Sequence, residues 1–249
     1  MDALATYALR MGDDSLILGQ RLSEWCGHAP ALEVDLSLAN VALDQIGQAT
    51  HFLGLAGEIE GKGRDADALA FRRDVMDFTN CLLVEQPNGD FAQTIARQFL
   101  FSHYQVLLFA ELSAVKDARF AAIAAKAAKE VTYHAALASD WVVRLGDGTD
   151  ESRARMIAGL DWMWRFVDEL FALDEVDTAA LEAGMGVDKM ALRSAWDHRI
   201  DAVLADATLE GPAPRRAVLG GRSGRHSEHL GHLLSEMQFL QRAYPGATW

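Results

Sequence analysis

The chain has 249 residues, half of them hydrophobic and only 5 of them proline, which is enough apolar material for a sizeable core and too little proline for a fold of short strands and turns. Charged residues make up 24%, an ordinary globular share, and the net charge of −13 excludes a nucleic-acid surface, which needs clustered basic side chains. An acidic balance of this size predicts solubility and leaves room for docking a basic partner.

Taken in order, the punctuation is helical throughout. A first helix is expected from about Leu4 to Trp25, stopping near Gly27-His28-Ala29-Pro30. A second begins just after Pro30, with Glu33 and Asp35 in its first turn where acids favour the helix dipole, and dissolves in EGKGRDADAL. A shorter helical piece is expected around Asp67 to Asn80, then a turn at Pro87-Asn88-Gly89. FAQTIARQFLFSHYQVLLFAEL reads as a long apolar helix ended by Lys116-Asp117. Phe120 to Leu145 follows, rich in alanine and closed by Gly146-Asp147-Gly148. Glu151 to Leu173 is the next helix, DEVDTAALEAGMGVD a connector, and Lys189 to Ala207 a further helix. GPAPRRAVLGGRSG is expected to be irregular, and HSEHLGHLLSEMQFLQRAY forms the last helix before the tail PGATW. No run alternates with period two for long enough to make a strand. Two long antiparallel pairs, one before residue 60 and one between residues 90 and 146, are the minimum for a four-helix bundle with additional helices, and the whole chain, 1–249, is expected to be one all-α domain.

Cys26 and Cys81 form no CxxC pair and read as buried thiols in a reducing compartment. The opening MDALATYALRMGDDSL has early acids and no long apolar run, so a signal peptide is not expected, and no bilayer-length stretch lacks charge. A cytoplasmic location, with no membrane and no nucleic acid as partner, is the expectation.

The informative feature is where polar residues fall inside the most apolar helices. Asn40, Asp44, Gly47, Gln48 and His51 form one stripe at helical spacing, Gln98, Ser102 and Gln105 a second, Lys126, Glu130 and Tyr133 a third, and Asp13, Gln20 and Glu24 a fourth. A single stripe is more often a solvated or interface face; four on the four longest helices point to an interior polar cluster, whose members must be hydrogen-bonded or paired. Inward carboxylates in a bundle invite a di-iron template, which takes a Glu from each of two helices and a Glu-x-x-His from each of the other two. The corresponding pairs here are Asp44-x-x-Gly47 and Glu130-x-x-Tyr133. Glycine offers no ligand and neutral tyrosine a poor one. His51 lies two turns beyond Asp44; His134 follows Glu130 by four with no second histidine to answer it. Lys126, one turn before Glu130, is expected to stand in for the missing cation if it points inward.

Other clusters carry weaker signals. His226, His229 and His232 are spaced by three, drift around a helix, and read as a helix-start motif at a subunit interface rather than a metal site. Trp162, Trp164 and Phe166 read as core or interface anchors. Arg215, Arg216, Arg222 and Arg225 form a local basic patch, read either as a solvated loop or as a contact for ligand phosphates or an acidic partner. No GxSxG or Walker-type motif is present, and Cys26 with His28 lacks the third member of a nucleophilic triad.

The stretches QRLSEWCGHAPALEVDLSLAN, LLVEQPNGDFAQTIARQF, KEVTYH and HSEHLGHLLSEMQFLQR, in order along essentially the whole chain, resemble the structural C subunits of the bacterial 1,2-phenylacetyl-CoA epoxidases, multicomponent monooxygenases of phenylacetate degradation. The resemblance implies a ferritin-like fold, no metal, cofactor or catalytic residue in this chain, and a tight complex with a di-iron catalytic A subunit and further complex subunits. The competing expectation is a di-iron oxygenase in its own right with the unusual ligands Asp44, Glu130 and His134, which the missing Glu-x-x-His pairs oppose.

Overall fold

The computed structural model describes residues 2–247, and every regular element among them is helical. The helices are α1 (Ala3–Ser23), α2 (Leu32–Glu60), α3 (Ala66–Phe71), α4 (Leu82–Glu85), α5 (Phe91–Leu112), α6 (Ala118–Gly146), α7 (Asp150–Trp164), α8 (Asp168–Phe171), α9 (Glu175–Glu182), α10 (Lys189–Asp206), α11 (Glu228–Met237) and α12 (Phe239–Ala243). The architecture is all-α, as expected, and consistent with a ferritin-like helical bundle. No helix among the described residues is long and apolar enough to cross a membrane. The chain forms two compact units, one of residues 1–86 with 220–249, the other of residues 87–219.

The first unit is built on α1 and α2. The two run antiparallel and approach closely where glycines remove side chains from the contact. A Cβ at Gly12 would lie 2.6 Å from Leu53 Cδ2, and one at Gly19 would lie 3.0 Å from Ile46 Cγ1. Asp2 caps α1 by accepting from Leu4 N, and α2 ends at Gly61 in the left-handed conformation that glycine adopts without penalty. Tyr7, Ile17, Phe52 and Phe78 are fully buried here, each worth roughly 1.5–3 kcal/mol of transfer free energy.

The second unit is built on α5 and α6, joined by a five-residue connection and capped by Asp90 and Asp117. Phe91, at the start of α5, meets Trp141, near the end of α6, edge-on at 5.0 Å. Trp196 on α10 donates its indole N–H to the Leu100 carbonyl (3.1 Å) and packs against Phe171 at 5.5 Å. The buried Lys189–Asp177 ion pair, 2.8 Å, ties the start of α10 to α9.

Several boundaries depart from the sequence expectations for local reasons. The helix expected around Asp67 to Asn80 is broken after Phe71, because Arg73 turns inward and Asp74 and Asp77 form a capping box over a 3-10 turn. The helix expected to reach Leu173 stops at Trp164. There the Arg165 carbonyl is taken by Val218 N (2.9 Å) and the next two amides bond back in 3-10 fashion before α8 resumes. The supposed connector after Leu173 contains α9, nucleated by an Asp174/Asp177 capping box. The last helix divides at Gln238, whose side-chain amide donates to the carbonyls of Ala70 (2.9 Å) and Arg73 (3.1 Å). Cys81 is buried as expected, but Cys26 is exposed, because α1 stops at Ser23 and leaves it in the following turn. The expected tail PGATW includes Thr248 and Trp249, which lie outside the described residues.

Candidate functional site

The di-iron template positions fall on α2 and α6. On α2, Asp44 is half-buried, and Gly47 has open space around it: a Cβ there would meet nothing within 4 Å. Gln48 is buried, while Asn40 and His51 are exposed. On α6, Glu130 is half-buried, Lys126 is exposed and Tyr133 is 49% exposed, with its ring 6.2 Å from that of the fully buried His134. Asp44 and Gly47 belong to the first unit; Lys126, Glu130, Tyr133 and His134 belong to the second. Among the described residues no group of three or more His, Cys, Asp or Glu side chains is gathered closely enough to hold a metal ion.

The α5 stripe is interior, since Gln98, Ser102 and Gln105 are all buried. Ser102 Oγ donates to the Gln98 carbonyl at 2.6 Å, but neither end of the Gln98 side-chain amide has a hydrogen-bond partner among the described residues. One position further on, His103 accepts or donates through Nε2 with Ser139 Oγ at 2.9 Å. Burial, helped by the charge of Arg199, pushes the His103 pKa down to about 4. It is therefore a neutral imidazole in the folded protein at neutral pH.

The α1 stripe divides. Asp13 is fully buried, Gln20 half-buried and Glu24 exposed, and Glu24 pairs with Arg21 at 2.8 Å. Asp13 instead opens an ionic network that runs through the first unit. Arg73 grips both oxygens of Asp13, and Thr79 adds its backbone N–H (2.8 Å) and hydroxyl (3.0 Å) to Oδ2. The adjacent Asp14 receives Arg222 through both terminal nitrogens, at 2.9 and 2.7 Å, and Cys81 N at 2.7 Å. Each of two neighbouring buried acids thus has its own arginine.

A second node centres on Glu85, which is fully buried. Its carboxylate accepts from His226 Nδ1 at 2.7 Å, Asn80 Nδ2 at 2.9 Å and Ser227 N at 2.6 Å. The other ring nitrogen of His226 faces the Phe78 carbonyl at 2.9 Å. Both ring nitrogens therefore meet acceptors, which only the doubly protonated imidazolium satisfies. Burial alone would lower the His226 pKa, but the Glu85 carboxylate, the Phe78 carbonyl and the charge of Asp13 outweigh it and hold the value above normal. The Glu85 carbonyl in turn accepts from Arg21 Nε and Nη2, and Arg21 Nη2 also reaches the His229 carbonyl at 3.1 Å.

Sequence reading did not reach this network. His226 does lie at a helix start, immediately before the Ser227 N-cap of α11, but its ring is turned into an ion pair within its own chain. Arg222 is half-buried against Asp14 and Arg215 is paired with Asp161, so the expected basic patch is not four solvent-facing arginines. The signal in the sequence was the adjacent Asp13-Asp14 in the middle of a largely apolar helix, a pair of acids that demands cations beside it.

Comparison with known proteins assigns the relationship. A family profile described as "Phenylacetic acid catabolic protein" matches residues 1–249. The chain is 51% identical, over 249 residues and 100% of both sequences, to the C subunit of the 1,2-phenylacetyl-CoA epoxidase of Escherichia coli (strain K12). The chain belongs to the phenylacetic acid catabolic protein family.

Proposed function

We propose that this chain is the non-catalytic structural subunit of a 1,2-phenylacetyl-CoA epoxidase, a cytoplasmic ferritin-like domain spanning 1–249 that binds and supports the di-iron catalytic subunit in aerobic phenylacetate degradation. The full-length similarity to a protein named as the C subunit of that epoxidase supports the assignment and implies companion subunits. The observation that carries the non-catalytic part is the chemistry of the template positions. Gly47 has no donor atom and open space where a histidine ring would stand, and Tyr133 is half exposed. A di-iron centre needs a near-complete shell of carboxylates and imidazoles, so this donor set does not fit one. Asp44-x-x-Gly47 and Glu130-x-x-Tyr133 are accordingly degenerate as ligand pairs, each within its own helix, and Lys126, expected to replace the cation only if it pointed inward, is exposed.

Iron analysis tests this reading. The chain purified alone is expected to hold no stoichiometric iron, and the co-expressed complex with the catalytic subunit to hold only what that subunit binds. Close to two irons per isolated chain would instead make it a di-iron oxygenase with Asp44, Glu130 and His134 as unusual ligands.

A further inference from the structure

Helix α2 carries an apolar seam that its own fold leaves uncovered. Leu32 is 71% exposed, Leu36 57% and Leu43 65%, although the helix is otherwise well packed. At roughly 100° per residue, these leucines fall with Gly47 and Gly54 inside an arc of about 60°. Both glycines have nothing within 4 Å of a built Cβ, so another backbone can approach there without a side chain in the way. Three solvated leucines in register on one helix are not the scattered apolar exposure of an ordinary surface.

Charge and dimensions narrow the occupant. From Leu32 to Glu60 the helix contains no lysine or arginine, yet it holds Glu33, Asp35, Asp44, Glu58 and Glu60. Glu33, Asp44 and Glu58 fall about 20–60° beyond one edge of the seam. A second copy laid on α2 would bring acid against acid, which disfavours pairing. The seam runs for roughly 33 Å, and a strip about 10 Å wide along it gives on the order of 300 Å². That is less than half of the roughly 800 Å² each partner contributes to a standard interface. An isolated peptide helix is therefore too small an occupant; a folded chain reaching beyond α2 is required.

We infer that the Leu32–Leu36–Leu43 seam of α2 is a docking face for a different, helical subunit, whose contacting helix is apolar along its centre and edged with lysine or arginine. The inference rests on the structural-subunit reading and names the surface through which it operates.

The test is co-expression of the full chain with the di-iron subunit of its epoxidase, followed by size-exclusion chromatography and titration of the purified chains. Leu36→Asp/Leu43→Asp is expected to raise the Kd by at least two orders of magnitude while leaving the chain's own thermal midpoint in place, since both side chains are already solvated. Gly47→Leu, which fills open space in the isolated chain, is expected to weaken binding to a similar extent without touching the core. Glu33→Lys/Glu58→Lys is expected to weaken binding on the order of tenfold at low salt, with the difference closing at high salt. If the wild-type chain forms the complex and Leu36→Asp/Leu43→Asp forms it equally well, the seam is not the docking face. If the wild-type chain alone is a dimer that the leucine variants split, the occupant is a second copy and the inference is overturned. If the wild-type chain forms no complex with the di-iron subunit, the structural-subunit reading fails and takes this one with it.

Discussion

Replacing Glu85 with alanine should be among the most damaging single changes in the first unit. The carboxylate is fully buried and accepts three hydrogen bonds, one from the His226 imidazolium. Its removal leaves a buried cation without a counterion and strands the Asn80 amide and the Ser227 N–H. Breaking a buried pair by deleting one partner costs about 3–5 kcal/mol. Against a typical stability of about 5–15 kcal/mol, that is about a fifth of the total at the least, and at about 2–4 °C per kcal/mol for a chain of this size the midpoint falls by roughly 6–20 °C. The assay is thermal and urea unfolding followed by circular dichroism, with limited proteolysis reporting on residues 220–247, which Glu85 anchors through His226 and Ser227.

A double-mutant cycle isolates the pair. Glu85→Gln and His226→Gln should each be costly alone, because each leaves the other partner charged and uncompensated. Together they should cost clearly less than the sum, because no buried charge remains. The pH dependence has a definite sign. His226 has its folded pKa raised, so its contribution is fully present below the unfolded value near 6.5 and is lost as pH rises through the folded value. A Glu85→Ala midpoint within about a degree of wild type, or strict additivity in the cycle, would refute the account of His226 as a buried imidazolium.

His103 should behave oppositely. Its folded pKa of about 4 lies below the unfolded value, so stability is complete above pH 6.5 and falls as pH drops from there towards 4. The loss is on the order of 3 kcal/mol, and comparing the acid limbs of wild type and His103→Gln by urea midpoints measures it; equal limbs would refute it. Two glycines on facing helices should respond in opposite directions to alanine. Gly12→Ala places a methyl 2.6 Å from Leu53 Cδ2 and should cost about 1–3 kcal/mol, whereas Gly47→Ala enters open space in a helix interior and should gain about 0.5–1 kcal/mol in the isolated chain. Equal shifts in thermal midpoint would show that α1 and α2 do not approach as closely as Gly12 requires. Arg222→Met should destabilise by about 3–5 kcal/mol, because it takes both guanidinium contacts from the Asp14 carboxylate and leaves it the Cys81 N–H, and Asp14→Asn/Arg222→Met should recover much of the loss; no recovery would count against a paired charge.

Local signals carried most of the fold. The span Phe91–Leu112 is the helix that its apolar run announces, and α6 and α10 lie within two residues of expectation, because Asp117, Asp188 and the glycines are caps whose chemistry is written in the neighbouring residues. The α5 stripe is interior as expected, but the same expectation fails in part on α2, where Asn40 and His51 are exposed, and on α6, where Lys126 and Tyr133 are. What was not legible depends on residues far apart in sequence. Nothing near Trp164 signals that Val218 will claim the Arg165 carbonyl, and nothing near Phe71 signals that Arg73 will turn towards Asp13. His226 presented itself as one of three evenly spaced histidines, although its partner lies 141 residues earlier.

The disposition of charge bears on the proposal that this chain supports an oxygenase without hosting its chemistry. Buried carboxylates are the raw material of a metal site, but they attract an ion only if no cation already neutralises them. Here Asp13 is held by Arg73, Asp14 by Arg222, Glu85 by His226 and Asp177 by Lys189, each pair within one unit. Those interior pairs are close to neutral, so the net charge of −13 is carried by other side chains, many of them on the surface. A field of that sign steers a basic partner during encounter and opposes self-association. The same acidic residues that edge the α2 seam, Glu33 and Glu58 among them, are therefore placed to choose a different chain over a second copy of this one.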